Sequence, residues 1–178
     1  MRSRWIDADA LALVLAALTP ENALACEVSL RYGLRIGDVL ALKSEDVKKG
    51  RFSIIEEKTG KRRRLTLCPE MQARLLRYAG RLYAFPHRTD WKRHRTRQAV
   101  YKDIRRAADA FRLGGGISPH TMRKAYAVDA YRRSGSLDKV RRLLLHDDET
   151  VTMIYALADS LTVKQNAARG HKPVKKNT

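Results

Sequence analysis

The stretch RFSIIEEKTGKRRRLTL, residues 51–67, is the one place where a helical pattern gives way to an extended one, and it fixes the class of the fold. Two extended runs, 51–57 and 61–67, flank KTG, so a glycine stands in the tight turn of an antiparallel hairpin. Helical periodicity dominates the chain before and after it. Residues 8–18 and 20–33 are predicted helices; Thr19 and Pro20 supply the cap and first-turn residue of the second, and Gly33 stops it. A short helix over 35–42 follows, and LKSEDV (42–47) is expected to add a third strand. After Pro69 a helix is predicted over 70–83, with Met71, Leu75, Tyr78 and Leu82 as its buried stripe. Further helices are predicted over 96–112, from Ser118 to about Ser134, and over 136–145 and 148–158. The expected fold is α+β: mostly α-helical, with a small antiparallel three-stranded sheet at one edge.

Charge narrows the partner. Among 178 residues, 37 Lys and Arg stand against 19 Asp and Glu, a net charge of +18. The excess thickens at KRRR (61–64), WKRHRTR (91–97), YRR (131–133) and the tail RGHKPVKKNT (169–178), which points to a polyanion: DNA, RNA or an anionic membrane surface. Cys26 and Cys68 lie far apart with no metal-ligand spacing, so neither a zinc site nor a disulfide framework is indicated, and a reducing cytoplasm is the expected compartment. The apolar run 10–18 begins beside Asp7 and Asp9 and is broken at TPEN (19–22). It is shorter than the roughly 20 residues a bilayer needs, so it reads as a helix and not as a signal or anchor.

Several polar residues stand at element ends, where sites are built. Arg35 opens a helix directly after a glycine turn, and Lys58 occupies the hairpin turn. In SPHTMRKAY (118–126), Ser118 and Pro119 suit a helix start, and His120 and Arg123 project three apart from its first turn, where free N–H groups favour an anion. His146 closes a short helix, and Tyr155 follows on the next. Each has an ordinary explanation when taken singly: Arg35 could pair with Asp38, Lys58 could be a hairpin lysine, His146 a partner of a helix dipole, Tyr155 a core aromatic.

Taken in order, these stretches resemble the catalytic domain of tyrosine site-specific recombinases, the phage integrase family. YGLRIGDVLALKSEDV (32–47) resembles the first arginine box, with Arg35 at the catalytic arginine and Asp38 at its acidic neighbour. EEKTGKRRRLTL (56–67) is similar to the hairpin with the catalytic lysine, here Lys58, with Lys61 as a second candidate. TRQAVYKDIRRAADAFRL (96–113) resembles the helix before the second box. ISPHTMRKAYA (117–127) resembles the H-x-x-R box, and VRRLLLHDDETVTMIYALAD (140–159) the last, with His146 and Tyr155. Leu145 replaces the glycine usual before that histidine, and Lys124 stands where a second histidine is frequent.

The resemblance implies DNA cleavage and rejoining without metal or cofactor, through a 3′-phosphotyrosyl intermediate on Tyr155. Arg35 and Arg123 would clamp the non-bridging oxygens of the scissile phosphate, since a planar guanidinium stays charged and bonds phosphate in pairs. His146 would add a third hydrogen bond, Lys58 would protonate the departing 5′-oxygen, and His120 would take or position the tyrosine proton. Arg62, Lys92, Arg93, Arg95 and Arg97 are candidates for DNA backbone contact. Residues 1–163 are expected to form the catalytic domain, with a basic tail over 164–178 that is flexible or docks on a neighbouring protomer, and without the DNA-clamping domain that precedes the catalytic one in this family. Expected partners are double-stranded DNA, further copies of the chain as a dimer or tetramer on it, and accessory DNA-bending or directionality proteins, in the cytoplasm at the nucleoid. Open alternatives are a non-cleaving DNA-binding relic or regulator of the same fold, a type IB topoisomerase-like nicking and closing enzyme, and a generic RNA-binding basic protein.

Overall fold

The computed structural model describes Ile6 and residues 8–144. The chain divides into two compact units, Met1–Tyr126 and Ala127–Thr178. The first contains α1 (Ala8–Ala17), α2 (Pro20–Tyr32), α3 (Ile36–Leu40), α4 (Ser44–Lys49), β1 (Arg51–Ile55), β2 (Arg62–Thr66), α5 (Pro69–Tyr78) and α6 (Arg97–Ala110). The boundary falls inside α7 (Pro119–Ser134); α8 (Leu137–Leu143) lies in the second unit. No helix among the described residues is long and apolar enough to cross a membrane.

Among the described residues the sheet has two strands. β1 and β2 pair antiparallel in the register Phe52 to Leu65 and Ile54 to Arg63. The third strand expected at 42–47 is instead α4, and the reason is local. Glu45 and Asp46 occupy its first turn and Lys48 and Lys49 its last, matching the helix dipole, and Gly50 ends it at φ 70°. What remains of the strand is one bridge, Lys43 to Tyr83, in which the Ser44 amide donates to the Leu82 carbonyl and the Ala84 amide to the Leu42 carbonyl.

The same bridge shortens the following helix. α5 ends at Tyr78, four residues short of Leu82, because Ala79 turns extended (ψ 129°) and the chain must double back to meet Lys43. Leu82, expected in the buried stripe, is 39% exposed, whereas Met71 and Leu75 are buried.

One carboxylate joins α6 to the start of α2. Asp103, in the middle of α6, accepts from the Thr19 amide (2.9 Å), the Thr19 hydroxyl (3.0 Å) and the Asn22 side-chain amide (2.8 Å) through Oδ2. Its Oδ1 accepts from Arg106 Nε (3.0 Å) and Nη2 (2.7 Å). Thr19 therefore does not cap α2 with its own oxygen; an acidic group from another helix sits at that N-terminus, where the dipole favours it. Burial opposes ionisation of Asp103, but the bonds from Asn22, Thr19 and Arg106 outweigh it and hold its carboxyl below the usual range. The apolar core around this hub is built from Val14, Leu24, Val28, Leu40, Leu75, Val100 and Ile104, with Cys26 buried among them and its thiol pushed up to about 12, chiefly by burial.

In the second unit, α7 stops at Gly135 (φ 64°), and Ser136 caps α8 by accepting from the Lys139 amide at 3.3 Å. Val140 and Leu144 are its buried face.

Candidate active site

The site grows from the turn between α2 and α3. Gly33 ends α2 with φ 65°, donating its amide to Ser29 O at 2.8 Å. A Cβ at this position would fall 2.4 Å from Cε1 of Tyr126, so both backbone conformation and space require glycine. Two residues later Arg35 occupies the cap position of α3 in extended conformation, and its side chain reaches the hairpin: Nη1 lies 2.5 Å from Glu56 Oε2.

Glu56 is 0% exposed and receives more than Arg35. Arg63 Nη1 approaches its Oε1 at 3.4 Å, and the Thr59 hydroxyl its Oε2 at 3.3 Å. Arg63 in turn donates to the carbonyls of Tyr32 and, at 3.4 Å, of Gly33. The Gly33 carbonyl also accepts from Arg123 Nη1 at 2.5 Å, and Arg123, on α7, is 1% exposed. Three guanidinium groups thus meet around one turn and one carboxylate.

Asp38 completes the cluster. Its Oδ1 accepts from the Glu57 amide at 2.9 Å, while its buried Oδ2 has no hydrogen-bond partner among the described residues. Burial chiefly pushes its carboxyl above the ordinary value; the Glu57 amide opposes this, Glu56 adds to it, and the charges of Arg35 and Arg123 oppose it. Asp38 also lines a cavity of about 500 Å³ with Glu57, His94 and Arg97. Three arginines against two carboxylates, one of them resisting ionisation, make a partly buried positive centre that favours an anion. No cluster of His, Cys, Asp and Glu among the described residues could hold a metal ion.

The remaining candidates fall as follows. Arg35 and Arg123 meet at the Gly33 turn. His120 is exposed on the first turn of α7, and Lys58 is exposed in the hairpin turn. His146, Tyr155 and Leu145 lie outside the described residues, as does the helix expected over 148–158. Ser118 does not act as the expected cap: its buried Oγ has no partner among the described residues, and its amide donates instead to the Thr121 hydroxyl at 3.2 Å. Lys124 is buried. Arg62 is exposed on β2, and Lys92 and Arg93 are exposed in the loop before α6. In that loop Trp91 has Arg81 at 4.7 Å and Lys92 at 5.7 Å from its ring centre. Arg95 turns inward, donating to Asn22 Oδ1 at 2.6 Å, and Arg97 lies 3.8 Å from Glu57.

Sequence reasoning missed Glu56 and Arg63. The signal was the alternation of the strands. Phe52, Ile54 and Glu56 share one face of β1 and its continuation, and Arg63, Leu65 and Leu67 share the inward face of β2. A charge at an inward position of a half-buried strand must find a partner, and these two find each other.

Residues 4–161 match the model of the Phage integrase family. The chain is 28% identical over 152 residues to the integrase of Escherichia phage P2, which spans 85% of this chain and 42% of that protein. It is 29% identical over 145 residues to the probable integrase/recombinase YoeC of Bacillus subtilis (strain 168), spanning 76% of each. It is 32% identical over 140 residues to the tyrosine recombinase XerD of Ralstonia nicotianae, spanning 72% of this chain and 46% of that one. The chain therefore spans less than half of the phage P2 and Ralstonia relatives. In fold it is similar to the XerA recombinase (TM-score 0.71, 18% identity, 98% of this chain and 68% of that). It is likewise similar to a lambda integrase dimer bound to a core site (TM-score 0.67, 21% identity, 86% and 59%). With the match extending over nearly the whole chain and the arginine boxes meeting at one turn, the chain belongs to the phage integrase family.

Proposed function

We propose that the chain is the DNA breaking and rejoining part of a site-specific recombinase, acting through a 3′-phosphotyrosyl intermediate on Tyr155. One observation carries the reading: in a member of the phage integrase family, Arg35 and Arg123, far apart in sequence, are brought to the same turn with a third arginine beside them. Phosphoryl transfer at an unactivated diester needs the charge on the non-bridging oxygens neutralised as the nucleophile arrives, and fixed guanidinium groups do this without reorganising. Arg35 and Arg123 supply that charge. Tyr155 attacks phosphorus, so the P–O bond to the tyrosine forms as the bond to the 5′-oxygen breaks. His120 takes the phenolic proton, Lys58 gives one to the departing oxygen, and His146 adds a hydrogen bond to the phosphate. Because the phosphate stays ester-linked to Tyr155, a 5′-hydroxyl can reverse the step without an external energy source.

The substrate is double-stranded DNA, and a pair or tetramer of chains acts on it. Of the proteins that share the fold, XerH was solved bound to a difH substrate and lambda integrase bound to DNA and, as a dimer, to a core site, and the net charge of +18 suits such a polyanion. Arg62, Lys92, Arg93 and Arg97 track the backbone, so affinity falls steeply as salt rises.

The test is a pool of nicked duplexes of randomised sequence, in which a short cleaved fragment diffuses away and traps the covalent adduct. A denaturation-resistant protein–DNA band is expected with the wild-type chain and absent with Tyr155→Phe. DNA binding with no adduct in any pool would overturn the reading in favour of a non-cleaving DNA-binding protein.

A further inference from the structure

We infer that Glu56 is a positioning residue that fixes the turn carrying Lys58 to the arginines at the Gly33 turn; the inference rests on the proposed strand-cleaving activity. Glu56 is the last inward residue of β1's run, and its main chain closes the turn from both sides. The Glu56 amide donates to the Lys61 carbonyl at 3.0 Å, and the Gly60 amide donates to the Glu56 carbonyl at 2.9 Å. Lys58 lies inside this loop.

The side chain of the same residue faces the other way chemically. Its Oε2 accepts from Arg35 at 2.5 Å and from the Thr59 hydroxyl at 3.3 Å, and its Oε1 meets Arg63, which is itself bound to the carbonyls ending α2. One residue thus holds the acid's turn by its backbone and a phosphate-binding arginine by its carboxylate. A long lysine on an exposed turn has much conformational freedom, and seating the base of that turn removes part of it before DNA arrives. The carboxylate equally sets the direction of the Arg35 guanidinium. A buried carboxylate held by two arginines is costly to desolvate, so its position is fixed by those partners.

The test compares wild type, Glu56→Gln, which keeps the shape and loses the charge, and Glu56→Asp, which keeps the charge on a shorter stem. Two readouts are taken. In hydrogen exchange of the free protein, Glu56→Gln should exchange the amides of Glu56 and Gly60 about tenfold faster, with those of α6 unchanged. In trapping on nicked DNA at saturation, it should slow adduct formation about tenfold or more while DNA affinity stays within about twofold, and Glu56→Asp should recover part of the rate. If Glu56→Gln does not fold, Glu56→Asp is read alone, with smaller changes of the same kind expected.

Wild-type rates in the variants would overturn the inference. A faster reaction in Glu56→Gln would also overturn it, by revealing a carboxylate that competes with the phosphate for Arg35, as would weaker DNA binding at an unchanged rate. Absence of any adduct from the wild type overturns the proposed activity instead, and the exchange measurement then decides by itself whether Glu56 anchors the turn.

Discussion

Asp103 and Asp38 are both buried aspartates in the same compact unit, and their surroundings are opposite in kind. Asp103 has donors on both oxygens, from Thr19, Asn22 and Arg106, and is held ionised. Asp38 has one oxygen bonded to the Glu57 amide and one with no partner among the described residues, and burial makes its ionisation harder. The first joins helices whose relation need not change. The second stands beside Arg35 and Arg123, the groups to which the proposed reaction gives the phosphate. Donors on both oxygens tie Asp103 into the scaffold, whereas Asp38 keeps one buried oxygen without a partner among the described residues.

The comparison can be broken most forcefully at the arginines. Arg123→Lys keeps the charge and loses the planar fork, so adduct formation on nicked DNA should fall about 100-fold, while thermal melting stays within a few degrees of wild type. A large drop in melting temperature with an unchanged adduct rate would mean that Arg123 belongs with the scaffold.

Asp103→Ala tests the other side. It strands the Asn22 amide and the Thr19 amide and should cost on the order of 3 kcal/mol in denaturant unfolding. Below the melting transition the rate of adduct formation should be unaffected. The sign of the pH effect follows from the lowered carboxyl: its contribution is complete above the ordinary carboxylate range and is lost as the pH falls through the lower, folded-state value. Unfolding titrations between neutral and acid pH should therefore show an acid decline in the wild type that is shallower in Asp103→Ala.

The smallest effect is expected at Asp38. Asp38→Asn keeps an acceptor for the Glu57 amide and removes a charge that burial opposes, so stability should change by less than about 1 kcal/mol. A raised carboxyl contributes stability that is complete below the ordinary carboxylate range and is lost as pH rises from there through the raised, folded-state value, so the variant should lack this component. A loss of several kcal/mol would place Asp38 with Asp103 and dissolve the distinction between them.

Most of this arrangement is legible in the sequence where a local rule acts alone. Gly33 stops α2, Pro20 and Pro69 open helices, and the KTG turn marks the hairpin, because each depends on a few neighbouring torsions. The two misplaced elements fail for one common reason. Residues 42–47 and 79–83 are each locally ambiguous, and the bridge from Lys43 to Tyr83 decides both at once: one segment turns into α4 after a single paired residue, and the other abandons α5. Pairing between residues this far apart leaves no trace in either segment alone. At the site, Arg35 and Arg123 are recognisable by their setting, whereas Glu56 hides in a run of two glutamates. Only the inward face of β1 tells it from Glu57. Ser118 had the composition of a cap, but Thr121 takes the bond and leaves the serine oxygen buried.

The atom shared by Arg63 and Arg123 is a main-chain carbonyl, that of Gly33. Every amino acid carries the same oxygen, so an alanine scan would score the two arginines separately and leave their meeting point blank. Sequence drift can reach that oxygen only by moving the chain that bears it, and Tyr126 stands against any side chain that would do so. The junction between two distant parts of the site is thus kept in the least mutable part of the polypeptide, and exchanging that one amide for an ester would probe it where substitution cannot.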